Sequence, residues 1–256
     1  MLRTVRALRY VSPLREGGSV PALVEADDDG LYVVKLSGAA QGTKVLVAEL
    51  VVGELIRALA LEEPELGLLM PDLVMVDLPV ELSHAEPDPE IQEPIAKSAG
   101  LNVGMDFLPR ALPYSAASGP QPSADLAAAL VWLDAFAENV DRTPRNPNLL
   151  TWHGRVWIID NGAALYRQHA GLDPARATGR FPAIRDHVLL PLAGSVAAMD
   201  ERLAPHVTEG LLRAVVSEVP EQWLGEGGPD LVVADLLARI TGPRGFVEEA
   251  ERARTA

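Results

Sequence analysis

Asn139-Val140-Asp141-Arg142-Thr143-Pro144-Arg145-Asn146, then an apolar strand, then Ile158-Ile159-Asp160-Asn161-Gly162: this stretch decides how the chain is read. Asp141, Asn146 five residues on, and Asp160 after the next strand fall within one short hairpin. A carboxylate base, a neutral oxygen ligand and a second carboxylate are what magnesium-dependent phosphoryl transfer gathers beside a nucleotide. Asn-Pro-Asn alone makes a turn, and Asp-Asn-Gly alone makes a tight turn after a strand. Both together, at the two ends of one apolar strand, point to chemistry. Asp141 would accept or orient a hydroxyl proton, with Asn146 and Asp160 as magnesium ligands. Arg142 is a neighbouring cation, either structural or close to the developing phosphate charge.

Such chemistry asks for a nucleotide-binding lysine upstream, and Leu31-Tyr32-Val33-Val34-Lys35-Leu36 supplies one. A lysine on an apolar strand is costly to bury unless an anion pairs with it. Glu49, fourteen residues later on a helical pattern, is the expected partner. Glu54 is the rival, but five residues at roughly 100° each turn the two glutamates in different directions. Gly17-Gly18-Ser19 could bring backbone amides against phosphates, although it has neither a Walker spacing nor repeated kinase glycines. An ordinary turn fits it equally well.

Net charge of −14 over 256 residues argues against general nucleic-acid or anionic-membrane binding. There is no cysteine, which removes disulfides, zinc–thiolate sites and thiol catalysis. No apolar run approaches the roughly 20 residues that span a bilayer. With no leader-like segment after Met1, a cytoplasmic protein is expected. His84, His153, His169, His187 and His206 have no ligand spacing and read as surface or structural residues. Trp132, Trp152, Trp157 and Trp223 read as packing.

Strands are expected over 6–11, 20–25, 31–36, 73–80 and 102–108, with a hairpin turn at Asp27-Asp28-Asp29-Gly30. A helix fits 44–61, capped by Thr43 and ended by Pro64. The Pro/Asp/Glu-rich stretch 81–94 reads as a solvated loop or insertion, and the Ser/Pro/Gly stretch 115–123 as the domain boundary. Beyond it lies a helix capped by Ser123, with further helices around 184–199, 207–216 and 230–240. This gives an α+β chain: residues 1–113 as a nucleotide-binding part and 114–256 as a helical catalytic part.

Tyr32-Val33-Val34-Lys35, Gln41-Gly42-Thr43-Lys44-Val45-Leu46-Val47-Ala48-Glu49, the loop from Asp141 to Asn146 and Ile159-Asp160-Asn161-Gly162 together resemble the HipA-like kinase family. Similar Asp-Arg-x-x-x-Asn loops occur in phosphoinositide kinases. The resemblance covers residues 17–162 and implies a two-lobed protein-kinase-like fold. Its N-terminal lobe would be an antiparallel sheet with one helix, and its C-terminal lobe mainly helical. It further implies ATP and magnesium as cofactors and a protein Ser/Thr hydroxyl as acceptor, with a small protein partner in some members.

By that resemblance Lys35 would hold the phosphates, Glu49 would pair with it, and Asp141 would be the catalytic aspartate. Gly17, Gly18 and Ser19 would lie over the nucleotide, with Ser19 as an autophosphorylation site. Asp106, Phe107 and Leu108 would contact the adenine, with residues 76–79 as the competing hinge. Asp-Asn-Gly in place of Asp-Phe-Gly, and Asn139-Val140 in place of His-Arg, set the chain apart from conventional protein kinases. The alternatives are a small-molecule kinase of the same superfold and a nucleotide-binding pseudokinase acting as a binding module.

Overall fold

A computed structural model describes residues 2–14, 21–39 and 42–256. The N-terminal part is built from β1 (Thr4–Pro13), β2 (Ala22–Ala26), β3 (Leu31–Lys35), α1 (Thr43–Glu62), β4 (Leu73–Leu78), α2 (Pro89–Lys97) and β5 (Gly100–Asp106). Its strands close into a five-stranded barrel in the order β1-β2-β3-β5-β4. This corrects the expected two-lobed fold whose N-terminal part is an antiparallel sheet with one helix; the chain is α+β overall.

The closing contact is parallel: Thr4 pairs with Met75, Val5 with Val76 and Arg6 with Asp77. β1 is long enough to serve two neighbours. Its later residues run antiparallel to β2, with irregularities between Ala7 and Arg9 and between Tyr10 and Ser12. Such irregularities bend a strand and increase its twist, which lets the two ends of the sheet meet. A strand begun at residue 6 leaves out Thr4 and Val5, most of the closing pair.

Small side chains make the closure possible. Val5, Ala7, Val24, Ala26, Val34, Val74 and Val76 fill the interior with the Tyr32 ring. Gly104 sits where a Cβ would lie 2.6 Å from a Val76 methyl. The stretch 81–94 is not a solvated loop. A 3-10 turn (Val80–Ala85) leads into α2, where Asp88 caps Glu90 and Pro89 takes the first helical position. The exposed charges of this helix hide an apolar side whose Ile95 is buried against the barrel.

Residues 112–256 supply β6 (Leu112–Pro113), α3 (Ala124–Ala137), β7 (Leu149–Trp152), β8 (Arg155–Ile158), α4 (Val196–Leu203), α5 (Glu209–Val216), α6 (Gly228–Thr241) and α7 (Gly245–Thr255). β6, β7 and β8 form a small antiparallel sheet. α3 is apolar all round, as a central helix must be. Ser123 caps it by accepting from Leu126 N–H at 3.1 Å, and the stacked rings of Trp132 and Phe136 meet Phe246 of α7 edge-on and tilted.

Three local expectations change. The helix over 184–199 is two 3-10 turns (Pro182–Asp186 and Leu190–Leu192) followed by α4, because Pro191 and Gly194 interrupt it. α1 starts at Thr43 itself, with Gly42 at φ 64° as the preceding residue, so Thr43 is not its cap. α7 had no counterpart in the sequence reading. One apolar core runs from α1, β4 and β5 through α3 to the last helices. Among the described residues no helix is long and apolar enough to cross a membrane.

Gly104→Val should cost about 1–3 kcal/mol of stability, since overpacking a filled interior forces its neighbours apart. Urea unfolding followed by circular dichroism checks it; a wild-type midpoint would mean the barrel interior has room to spare.

Candidate active site

Side chains alternate across a strand, so β3 sends Tyr32 and Val34 into the barrel and Val33 and Lys35 to its outer face. Opposite them on β5 lie Met105, in register with Val33, and Val103, in register with Lys35. On this face the Lys35 ammonium is held between two carboxylates. Its Nζ is 2.5 Å from Glu49 Oε2 of α1 and 2.5 Å from Asp160 Oδ1 after β8. Glu54 turns elsewhere and pairs with Arg57 at 3.0 Å, as the angular spacing along the helix requires.

Glu49 is buried. Its Oε2 also accepts the Asn161 backbone N–H at 2.8 Å, while Oε1 has no hydrogen-bond partner. Burial raises the Glu49 carboxyl above its ordinary 4.5, against the pull of Lys35. Burial also opposes the Lys35 charge, but Glu49 and Asp160 outweigh it and hold the amine above 10.5. Partial burial works against the Asp160 charge, but Lys35 outweighs it and holds the carboxyl below 3.8. The turn that carries it is tight: Asp160 has φ 55°, and a Cβ on Gly162 would strike Val45 and stand 3.2 Å from Lys35 Nζ.

Asp141 lies in the loop after α3. Asn139 Oδ1 accepts the Asp141 N–H at 3.2 Å, and Thr143 and Asn146 exchange backbone hydrogen bonds at 3.0 and 3.1 Å. This closed turn brings Asn146 Nδ2 to 2.7 Å from Asp141 Oδ2, where it donates. Asn148 Nδ2 approaches the same oxygen at 3.4 Å.

Arg142 is structural. It is 1 % exposed. Its guanidinium donates to Asp134 Oδ2 at 2.6 Å, Asn148 O at 2.5 Å, Ile159 O at 3.0 Å and Asn161 Oδ1 at 2.8 Å. Asp134 in turn accepts from Asn139 Nδ2 at 3.0 Å and lies 2.9 Å from His187 Nε2. Burial disfavours the Asp134 charge, but Arg142 and His187 keep its carboxyl below 3.8. Sequence reasoning missed Asp134 and Asn148, and it assigned His187 no partner. A lone aspartate inside the apolar run Leu130-Val131-Trp132-Leu133-Asp134-Ala135-Phe136 was the available signal.

The structure thus joins Lys35, Glu49 and Asp160 directly, and Asp141 and Asn146 directly. Arg142 and Asn161 link the two groups. Asp106 ends β5, and Phe107 and Leu108 follow it out of the strand. The N–H of Asp106 donates to Asp72 O and that of Phe107 to Leu31 O, both at 2.9 Å. Leu108 O accepts from Ala111 at 3.2 Å. Gly17, Gly18 and Ser19 lie outside the described residues. Among the described residues no group of three or more His, Asp or Glu is placed to hold a metal.

The model of the HipA-like kinase family matches residues 8–240 of the chain. No curated protein and no solved structure matches it.

Asp134→Asn should destabilise the protein by about 3–5 kcal/mol at neutral pH, because it leaves the Arg142 charge buried without its counter-ion. The Asp134 pKa is depressed on folding, so its contribution is present above its unfolded value and lost as pH falls through the folded one. The deficit against wild type should therefore shrink below about pH 4. Urea titrations across pH test this; a deficit independent of pH would contradict it.

Proposed function

We propose that this chain, which belongs to the HipA-like kinase family, is an ATP- and magnesium-dependent phosphotransferase acting on a protein Ser or Thr hydroxyl. Membership makes a kinase-type phosphotransferase the general class; the nucleotide, the metal and the acceptor are part of the proposal. The observation that carries it is the Lys35 ammonium, fixed by carboxylates from α1 and from the Asp160 turn beside the Asp141 loop.

Lys35 meets nucleotide phosphate oxygens as a point charge already oriented by Glu49. Val33 and Met105, half-buried register partners on the same face, offer an apolar bed for the base. The donor set fits magnesium, which favours hard oxygens, near-octahedral geometry and few protein ligands. Asp160 keeps 41 % of its side chain exposed and is ionised. Asn146 donates through Nδ2, which leaves its carbonyl oxygen for the ion. When bound, the metal neutralises charge on the phosphates.

Asp141 accepts or orients the proton of the acceptor hydroxyl. Asn146 and Asn148 hold its Oδ2, so the carboxylate is oriented before the acceptor arrives. Residues 1–113 would supply the nucleotide side of the site and 114–256 the acceptor side. The acceptor class follows from the family resemblance.

Purified protein incubated with radiolabelled ATP and magnesium, alone and with cell extract, should label a protein band. Asp141→Asn should lower the transfer rate by about 10²- to 10⁴-fold, the range that a positioned general base contributes. Asp160→Asn and Lys35→Met should abolish labelling in the same assay. Undiminished labelling in any of the three variants would refute the assignment.

A further inference from the structure

We infer that Arg142 is a positioning residue: its buried guanidinium locks the Asp141 loop and the Asp160 turn into one body, and Asp134 and His187 hold it there. The inference rests on the phosphotransfer reading for the roles of Asp141 and Asp160, while the lock itself is a matter of contacts.

Arg142 follows Asp141 directly in sequence, yet its side chain reaches the far end of the β7–β8 hairpin. Nη1 is shared between Asn148 O and Ile159 O, which flank that hairpin. Those two residues are themselves joined, Ile159 N–H donating to Asn148 O at 3.2 Å. Nη2 holds the Asn161 side chain, whose backbone N–H grips Glu49. One planar group therefore ties the residue after the proposed base to the residues on either side of Asp160. At 1 % exposure the guanidinium is out of reach of a phosphate.

The second half of the lock sets the position of the guanidinium. Nε donates to Asp134 Oδ2, and the same oxygen faces His187 Nε2 at 2.9 Å. His187 Nδ1 accepts the Leu189 N–H at 3.1 Å. That bond requires a bare Nδ1, so the proton sits on Nε2 and His187 donates to Asp134 as a neutral ring. Val188 N–H returns to Arg142 O at 3.0 Å and closes the loop. A lysine could supply the charge but not the fork that reaches four acceptors.

Three variants test the lock: Arg142→Lys, His187→Asn and His187→Gln. The Asn side chain can keep the acceptor near Leu189 but is too short for Asp134, whereas Gln can reach Asp134 as a donor. Amide exchange is measured over 139–148 and 158–165, together with magnesium-ATP turnover by phosphate release. His187→Asn and Arg142→Lys should speed exchange in both segments together by about tenfold or more, the scale of losing a hydrogen bond to a charged group. Turnover number should fall by about as much, with the KM for ATP within about threefold, as expected when orientation rather than binding is lost. His187→Gln should restore most of both.

If Arg142→Lys does not fold, His187→Asn, which removes a single hydrogen bond, decides the matter. Loosening of one segment only or of neither, or a Gln variant as impaired as the Asn variant, would overturn the inference. Failure of the phosphotransfer reading looks different. Wild type would then release no phosphate above background, or Asp141→Asn would keep wild-type turnover, and the exchange pattern alone would decide the lock.

Discussion

One ammonium group ties the molecule together. Lys35 comes from the barrel, Glu49 from α1 and Asp160 from the end of the β7–β8 hairpin, and all three meet within hydrogen-bond distance. A buried charge without a counter-charge costs several kcal/mol, so each of these elements is held where the trio stays paired. The barrel interior decides which way Lys35 faces. With Tyr32 and Val34 packed inside, the strand period leaves it the outer face. Gly162 is the clearance this meeting requires, since a Cβ there would press on both Val45 and the ammonium.

Two buried arginines do the equivalent work for the helical part. α3 ends in a residue with positive φ, Glu138, and its last carbonyls have no partners within the helix. Arg239 of α6 donates to Ala135 O at 2.7 Å and Phe136 O at 2.6 Å, and to Ala177 O at 2.6 Å and Gly179 O at 3.2 Å. Burial lowers its pKa to about 10, yet it remains a cation at neutral pH. It also lies over the Phe246 ring at 4.8 Å. Arg239 thus satisfies the end of α3, and Arg142 orders the loop that leaves it. The end of α3 and the loop bearing Asp141 are each held by a buried guanidinium.

The polar core of the site was legible in the sequence because its spacing is short-range or its chemistry is costly. Lys35 on an apolar strand needs an anion, and helical geometry separates Glu49 from Glu54. The five-residue step from Asp141 to Asn146 fits a single closed turn. What stayed hidden depends on contacts distant in sequence. Closure of the barrel rests on Thr4, Val5 and Arg6 pairing with β4 some seventy residues later, and no local pattern announces a parallel partner. α2 was masked by its own charges, since its apolar side faces the barrel through few residues. His187 lies 53 residues from Asp134, and only the fold makes it that residue's hydrogen-bond donor.

The acidic balance of the chain bears on how the proposed site handles an anion. Lys35 faces two carboxylates, which leaves the trio one negative charge in excess before any phosphate arrives. Arg142, whose charge also helps keep Asp160 ionised, is itself buried and paired with Asp134. Phosphate oxygens approaching this face would therefore meet carboxylates as well as the Lys35 ammonium. On the proposed reading, a magnesium ion arriving with the nucleotide would be held by Asp160 and would supply the positive charge this face lacks, with Lys35 turned to the phosphates. In that arrangement the carboxylate in excess of the Lys35 charge would be the counter-charge that the ion requires.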